Sequence, residues 1–163
     1  MKPLTRDDIR RSLVNMSKSR AKALTIPALD DVEWDGLDFY AWVDGRDLNR
    51  AYLVARAAED RLMGVELRAT IRSADFRRKS ICGFCATVHP VGGTALFSSL
   101  KSGKEGRLGN TVGIYMCRSL ACSLYAREKI QAPMGQMHET LDRDDRIARI
   151  RMNLEGFLAK ILH

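Results

Sequence analysis

The sequence predicts an α+β fold: a small antiparallel sheet with a short helix before it and a long helix after it. Three observations lead there. Short runs of alternating or β-branched residues, separated by turn residues, fill the middle of the chain. Two cysteine pairs bracket a glycine-rich insert of hairpin size. A stripe of apolar residues at helical spacing runs through the C-terminal segment. The length of 163 residues suits one domain spanning 1–163. With 45% hydrophobic and 29% charged residues, the composition is that of an ordinary globular protein.

The elements follow in order. Thr5 and Asp8 form a capping-box start, and Ile9, Leu13 and Met16 recur at helical spacing up to about Ala23. Residues 30–38, acidic and containing Gly36, read as a loop leading into a strand at 39–43. Gly45-Arg46-Asp47 marks a turn, and strands at 50–57 and 62–71 follow, separated by a turn at 58–61. Alanine-rich 52–62 also admits a helix. In the second strand Met63, Val65, Leu67, Ala69 and Ile71 form the packed face, with Gly64, Glu66, Arg68 and Thr70 towards solvent. Residues 72–80 are a basic connector. Strands at 94–100 and 111–116 flank a tip at 101–110, and a helix over 121–130 stops before Pro133. The last helix, 142–162, packs Ile147, Ile150, Leu154, Phe157, Leu158 and Ile161 into the core.

No segment approaches the ~18 uninterrupted apolar residues of a membrane helix. The basic N-terminus lacks an apolar stretch and a small-residue cleavage site, so a reducing cytoplasm is the expected compartment. Four cysteines in that setting point to metal rather than disulfides. The net charge is +7, unevenly spread. Residues 1–29 hold seven Lys and Arg against two Asp; residues 67–130 hold eleven basic against three acidic; residues 30–66 are acidic, with ten against four. The cysteines therefore lie in a strongly basic stretch, which suits an acidic partner.

Cys82-Gly83-Phe84-Cys85 is a C-x2-C turn whose amides face the sulfurs, with Gly83 permitting the backbone geometry of a knuckle. Cys117 and Cys122 follow after 31 intervening residues. With Cys117 ending a strand and Cys122 opening a helix, all four sulfurs reach one point. Knuckle, hairpin, then a helix carrying the last ligand is the order of a treble-clef zinc finger, placed at 81–130. Four thiolates close the tetrahedron, so the zinc is one per chain and structural. A redox pair would need a thioredoxin-like setting and leave the second pair idle; an iron–sulfur cluster fits the hairpin-and-helix context less well. His89 reads as a solvated loop residue rather than a ligand. With His138 and His163 in the C-terminal part, no catalytic histidine set forms, and no Walker loop or nucleophile triad is present. The chain reads as a non-enzyme.

Leu67-Arg68-Ala69-Thr70-Ile71-Arg72, the knuckle, the glycine-rich hairpin and the run from Tyr115 through Cys122 to Ser123 resemble the elongation factor G-binding proteins of the FusB type, in their C-terminal treble-clef domain. The resemblance covers roughly 30–160 by element order, with the specific motif confined to about 67–128. It implies zinc on Cys82, Cys85, Cys117 and Cys122. It also implies elongation factor G as partner, release of that factor from the ribosome, and the fusidic acid resistance that follows from release. FusB-type proteins carry a separate N-terminal helical bundle, whereas only about 25 residues precede the sheet here. That departure separates drug protection from factor binding and leaves room for a housekeeping or stress role in translation.

The expected partner surface is the finger itself. Phe84 is either an exposed apolar anchor or packing beneath the zinc. Lys101, Lys104 and Arg107 on the tip, with Tyr115 and Tyr125 beside the site, are the other candidates. Arg72, Arg77, Arg78 and Lys79 add charge next to the knuckle. A ribosome-associated finger that binds rRNA is the alternative reading, and a monomer is expected in either case.

Overall fold

The computed structural model describes residues 1–57, 60–70, 79–134 and 140–162. Ile71, Arg72, Arg77, Arg78, His138 and His163, half of the turn expected at 58–61 and most of the connector expected at 72–80 lie outside the described residues. The architecture is α+β. Five strands, β1 (Phe39–Val43), β2 (Arg50–Arg56), β3 (Leu62–Thr70), β6 (Thr94–Leu100) and β7 (Thr111–Cys117), form one antiparallel sheet in the order β1-β2-β3-β6-β7. Strands β4 (Ser80–Ile81) and β5 (Val88–His89) make a separate two-stranded ribbon around the C-x2-C turn. Within 52–62 the described residues are strand at 52–56 and at Leu62: tertiary pairing of β2 with β3 over seven residue pairs overrides the helical leaning of its alanines.

The N-terminal segment departs from a single helix. Thr5 caps α1 (Arg6–Ser12), and the reciprocal bond from the Thr5 amide to Asp8 is present at 3.0 Å. The helix then stops at Leu13, and a second short helix, α2 (Lys18–Lys22), starts from Ser17. The reason lies in β3. Its first half pairs with β2 on one side, while β6 takes up pairing only from Arg68 onward. The free edge is covered by residues 13–15: the Val14 amide donates to the Gly64 carbonyl at 2.9 Å, and the Asn15 amide group bonds both the Glu66 carbonyl (2.9 Å) and the Glu66 N–H (2.8 Å). An edge left open would invite pairing with another chain, and closing it here interrupts the helix.

Both faces of β1–β3 are consequently buried. One face carries Leu53, Met63, Val65 and Leu67 into a core shared with the finger and with α5 (Arg143–Leu162). The other carries Tyr40, Trp42, Tyr52 and Val54 against Leu4, Ile9, Leu24, Ile26 and Trp34. The solvent-facing alternation expected for β3 holds only at Arg68 and Thr70. Gly64 lies under α1, where a Cβ would come within 2.5 Å of Ser12 Oγ. Glu66 is buried, accepts charge-assisted bonds from Arg20 at 2.8 and 2.9 Å, and is ion-paired with Arg50 at 3.3 Å. In α5, Ile150, Leu154, Phe157, Leu158 and Ile161 are buried and Ile147 packs at the margin, as its apolar stripe requires. Among the described residues no helix is long and apolar enough to cross a membrane.

Candidate metal centre

The knuckle folds because its backbone bonds back on itself. The Cys82 amide donates to the Thr87 carbonyl at 3.0 Å, the Ala86 amide to the Cys82 carbonyl at 2.9 Å, and the Phe84 amide to Cys82 Sγ at 3.4 Å. The left-handed residue of this turn is Ala86 (φ 58°), not Gly83. Gly83 is needed for space instead: a Cβ there would lie 2.9 Å from Ile114 Cγ1 and 3.0 Å from the Tyr115 carbonyl, to which its own N–H donates at 2.7 Å. That bond ties the knuckle to β7. The second pair repeats the device, with Leu120 at φ 58° and its amide on the Cys117 carbonyl at 2.9 Å. Two non-glycine residues in the left-handed region persist where their surroundings over-determine them. Cys117 ends β7 and Cys122 opens α4 (Cys122–Ala126), as the spacing requires.

All four sulfurs are buried and lie within 4.8 Å of one another. Cys82 and Cys122 Sγ are 3.6 Å apart, and Cys85 and Cys117 Sγ are 3.5 Å apart. A tetrahedron of Zn–S bonds of about 2.3 Å has edges near 3.8 Å, so the donor set fits one zinc with no open position. Electrostatics make the same demand. Hydrogen bonds from neighbouring thiols, Cys117 first, hold Cys82 and Cys85 below the usual thiol range. Cys122 is pushed up by Cys117, Cys82 and Cys85 together. Four buried thiolates exist at once only around a metal ion, which supplies the compensating charge.

His89 is the residue the sequence reading misplaced. It is 2% exposed, not solvated, and its Nε2 sits 3.1 Å from Cys117 Sγ, with the ring edge-on to Tyr125 at 5.4 Å between centroids. A thiolate at Cys117 accepts from Nε2–H, so His89 orients and partly neutralises a ligand without being one. Gly93 makes this possible, since a Cβ there would meet His89 Cβ at 2.7 Å. Two further supports come from α5. Arg149 donates to the Cys85 carbonyl at 2.9 Å and Asn153 to the Phe84 carbonyl at 3.2 Å. The finger helix is locked from the other side by Asp38, whose amide donates to Ser123 Oγ at 3.0 Å. Its carboxylate, with a side chain 0% exposed, is gripped by Arg127 on both oxygens and by Arg151 at 3.0 Å. Neither His89 nor Asp38 announces itself by sequence spacing; the one available hint is that His89 lies four residues beyond Cys85.

The other candidates separate. Phe84 is fully buried, edge-on to both Phe39 and Phe157 at 5.8 Å, so it packs beneath the metal and offers no exposed anchor. The carbonyl bonds from Arg149 and Asn153 face the knuckle inward, which explains why its central side chain points into the core. Tyr125 is half-buried against His89. Tyr115 is half-buried on β7, opposite Leu96, on the face turned away from Phe97 and Met116. Lys104 and Arg107 are exposed and Lys101 is partly so; the tip that carries them folds as a short helix, α3 (Gly103–Arg107).

The model of the family described as FBP C-terminal treble-clef zinc-finger matches residues 8–161. A search of curated proteins returns no match. Among solved structures, the chain is similar to that of the fusidic acid resistance protein FusC. The TM-score is 0.52 at 18% identity, covering 87% of this chain and 53% of that one. The likeness speaks for the fold, and the chain spans about half the length of that relative. A family match running through every element from α1 to α5 is decisive: the chain belongs to the FBP C-terminal treble-clef zinc-finger family.

Proposed function

We propose that the chain is a non-enzymatic, cytoplasmic, translation-associated protein that binds elongation factor G and promotes its release from the ribosome, with protection against fusidic acid as the consequence. The observation that carries this reading is the family match over 8–161 on a finger whose zinc is closed by four thiolates. A closed site supports a rigid surface rather than chemistry at the metal. FusC, a fusidic acid resistance protein by name, shares the fold and supports the drug connection. In this reading 1–163 acts as one unit, with 81–130 as its finger.

The surface offered is the outer face of the β6–β7 hairpin. Leu96, Tyr115 and the 42% exposed Leu100 give it an apolar centre, and Lys104 on α3 adds a cation at the rim. Interfaces of that make-up concentrate their energy in aromatic anchors with a polar surround. Phe84 takes no part. The test is calorimetric titration of the zinc-loaded chain into purified elongation factor G. Binding that weakens about tenfold or more in Tyr115→Ala, and less in Lys104→Gln, is the expected result. No heat and no co-elution with the factor would overturn the reading.

A further inference from the structure

We propose that the cleft between the hairpin tip and the N-terminal segment binds the sugar–phosphate backbone of a single-stranded nucleic acid. The cleft has a volume of about 410 Å³. One wall is formed by Met16, Ser17 and Arg20, the other by Lys101, Gly106 and Arg107, and among the described residues no carboxylate lines it. It is therefore built from the two basic stretches of the chain, 1–29 and 67–130, which the fold brings together.

Three features make it a site rather than a gap. The first is that its walls are fixed. Asn15 bridges them through Ser99 Oγ at 2.8 Å, and the tip is tied to the end of α5 by the Ser102 amide on the Ile161 carbonyl at 2.7 Å. Gly106 lets α3 fold back on Lys101, since a Cβ there would fall 1.8 Å from the Lys101 carbonyl oxygen. The second is that two of its three cations are uncommitted. Among the described residues Lys101 and Arg107 have no ion-pair partner, although acids are near: Glu105 is held by Asn110, and Glu66 by Arg20 and Arg50. The third is the lining. Val14, Met16 and Leu100 supply an apolar floor under a cationic rim. The volume falls within the roughly 300–1,000 Å³ of small-molecule sites, enough for a nucleotide unit and not only a bare anion. A floor for the sugar or base and paired cations for successive phosphates suit an unpaired strand. A folded acidic protein presents no such thin, evenly charged chain.

This inference stands whether or not the chain binds elongation factor G. The test is fluorescence anisotropy with labelled 12-residue oligouridine, oligothymidine and oligoglutamate, using the zinc-loaded chain. Binding to the oligonucleotides is expected to fall with salt at a log–log slope of about −1.4, from about 0.7 for each of Lys101 and Arg107. Lys101→Gln/Arg107→Gln is expected to weaken it by about tenfold per side chain, the worth of a hydrogen bond between charged groups, and to flatten the slope. Lys2→Gln/Arg143→Gln removes as much charge from exposed positions outside the cleft and is expected to change little. All of these side chains lie outside the core, so zinc content and thermal midpoint report that the fold is intact. Preference for oligouridine identifies RNA as the strand, and equal binding identifies the backbone common to both. Oligoglutamate binding as tightly, equal losses in the two double variants, or no oligonucleotide binding would each overturn the proposal.

Discussion

Replacing Asp38 with alanine removes the carboxylate that holds the zinc helix to the sheet, and its cost is set by burial. The side chain of Asp38 is 0% exposed and that of Arg127 is 7% exposed, whereas that of Arg151 is 67% exposed. The Arg127 pair is therefore a buried one, and breaking it leaves a guanidinium uncompensated at about 3–5 kcal/mol. The Arg151 pair is screened by solvent and contributes no more than about 1 kcal/mol. In a chain of this size a loss of about 4 kcal/mol lowers the thermal midpoint by about 10 °C. Burial pushes the Asp38 carboxyl up, but the hydrogen bonds and charges of Arg127 and Arg151 outweigh it and hold the group below the usual carboxylate range. A carboxyl with a lowered folded value stabilises above its unfolded value and loses that contribution as pH falls through the folded one. The deficit of the variant is thus full at neutral pH and narrows below about pH 4. Acid also protonates the zinc thiolates and weakens metal binding, so wild type and variant are compared by urea unfolding at each pH. Arg151→Ala serves as the mild control. An Asp38→Ala variant within 1 kcal/mol of wild type at pH 7 would refute the assignment of this pair as the lock on α4, on the ground that buried pairs cost about three times that to break.

Two further outcomes follow from the site. Phe84→Ala empties a fully enclosed position between Phe39 and Phe157 and is expected to cost about 3–5 kcal/mol in denaturant unfolding; unchanged stability with lost partner binding would instead restore it as a surface anchor. His89→Ala removes the donor to Cys117 and is expected to weaken zinc binding about 10–100-fold in competition with a chromophoric chelator. An unchanged zinc affinity would make His89 a packing residue only.

What was legible in the sequence was short-range. The strand at 94–100, the end of β7 at Cys117, the start of α4 at Cys122 and the cap of α1 by Thr5 depend on residues a few positions apart, and each was found where spacing placed it. What was not legible depends on partners far along the chain. The first helix stops at Leu13 because residues 13–15 cover the edge of β3, fifty residues on, and no local propensity records that contact. Glu66 alternates like a surface residue, yet Arg20 and Arg50 reach it from two other segments and make its burial tolerable. His89 reads as a solvated loop residue, and only the absence of a side chain at Gly93 lets it turn inward onto Cys117.

The placement of Phe84 ties these threads to function. In a knuckle the residue between the ligands points either outward to a partner or inward to the core, and the local sequence is the same for both. Here the choice is made by α5: Arg149 and Asn153 take the carbonyls of Cys85 and Phe84, while Phe157 closes over the ring. The long helix thereby turns the knuckle into part of the core and leaves the hairpin as the part that meets the outside. The finger's exposed chemistry is then the cations of its tip and the Tyr115 face, both carried by strands that the zinc holds at their base through Cys117. Loss of metal should act on any partner through that hairpin, because the one aromatic side chain inside the knuckle never reaches the surface.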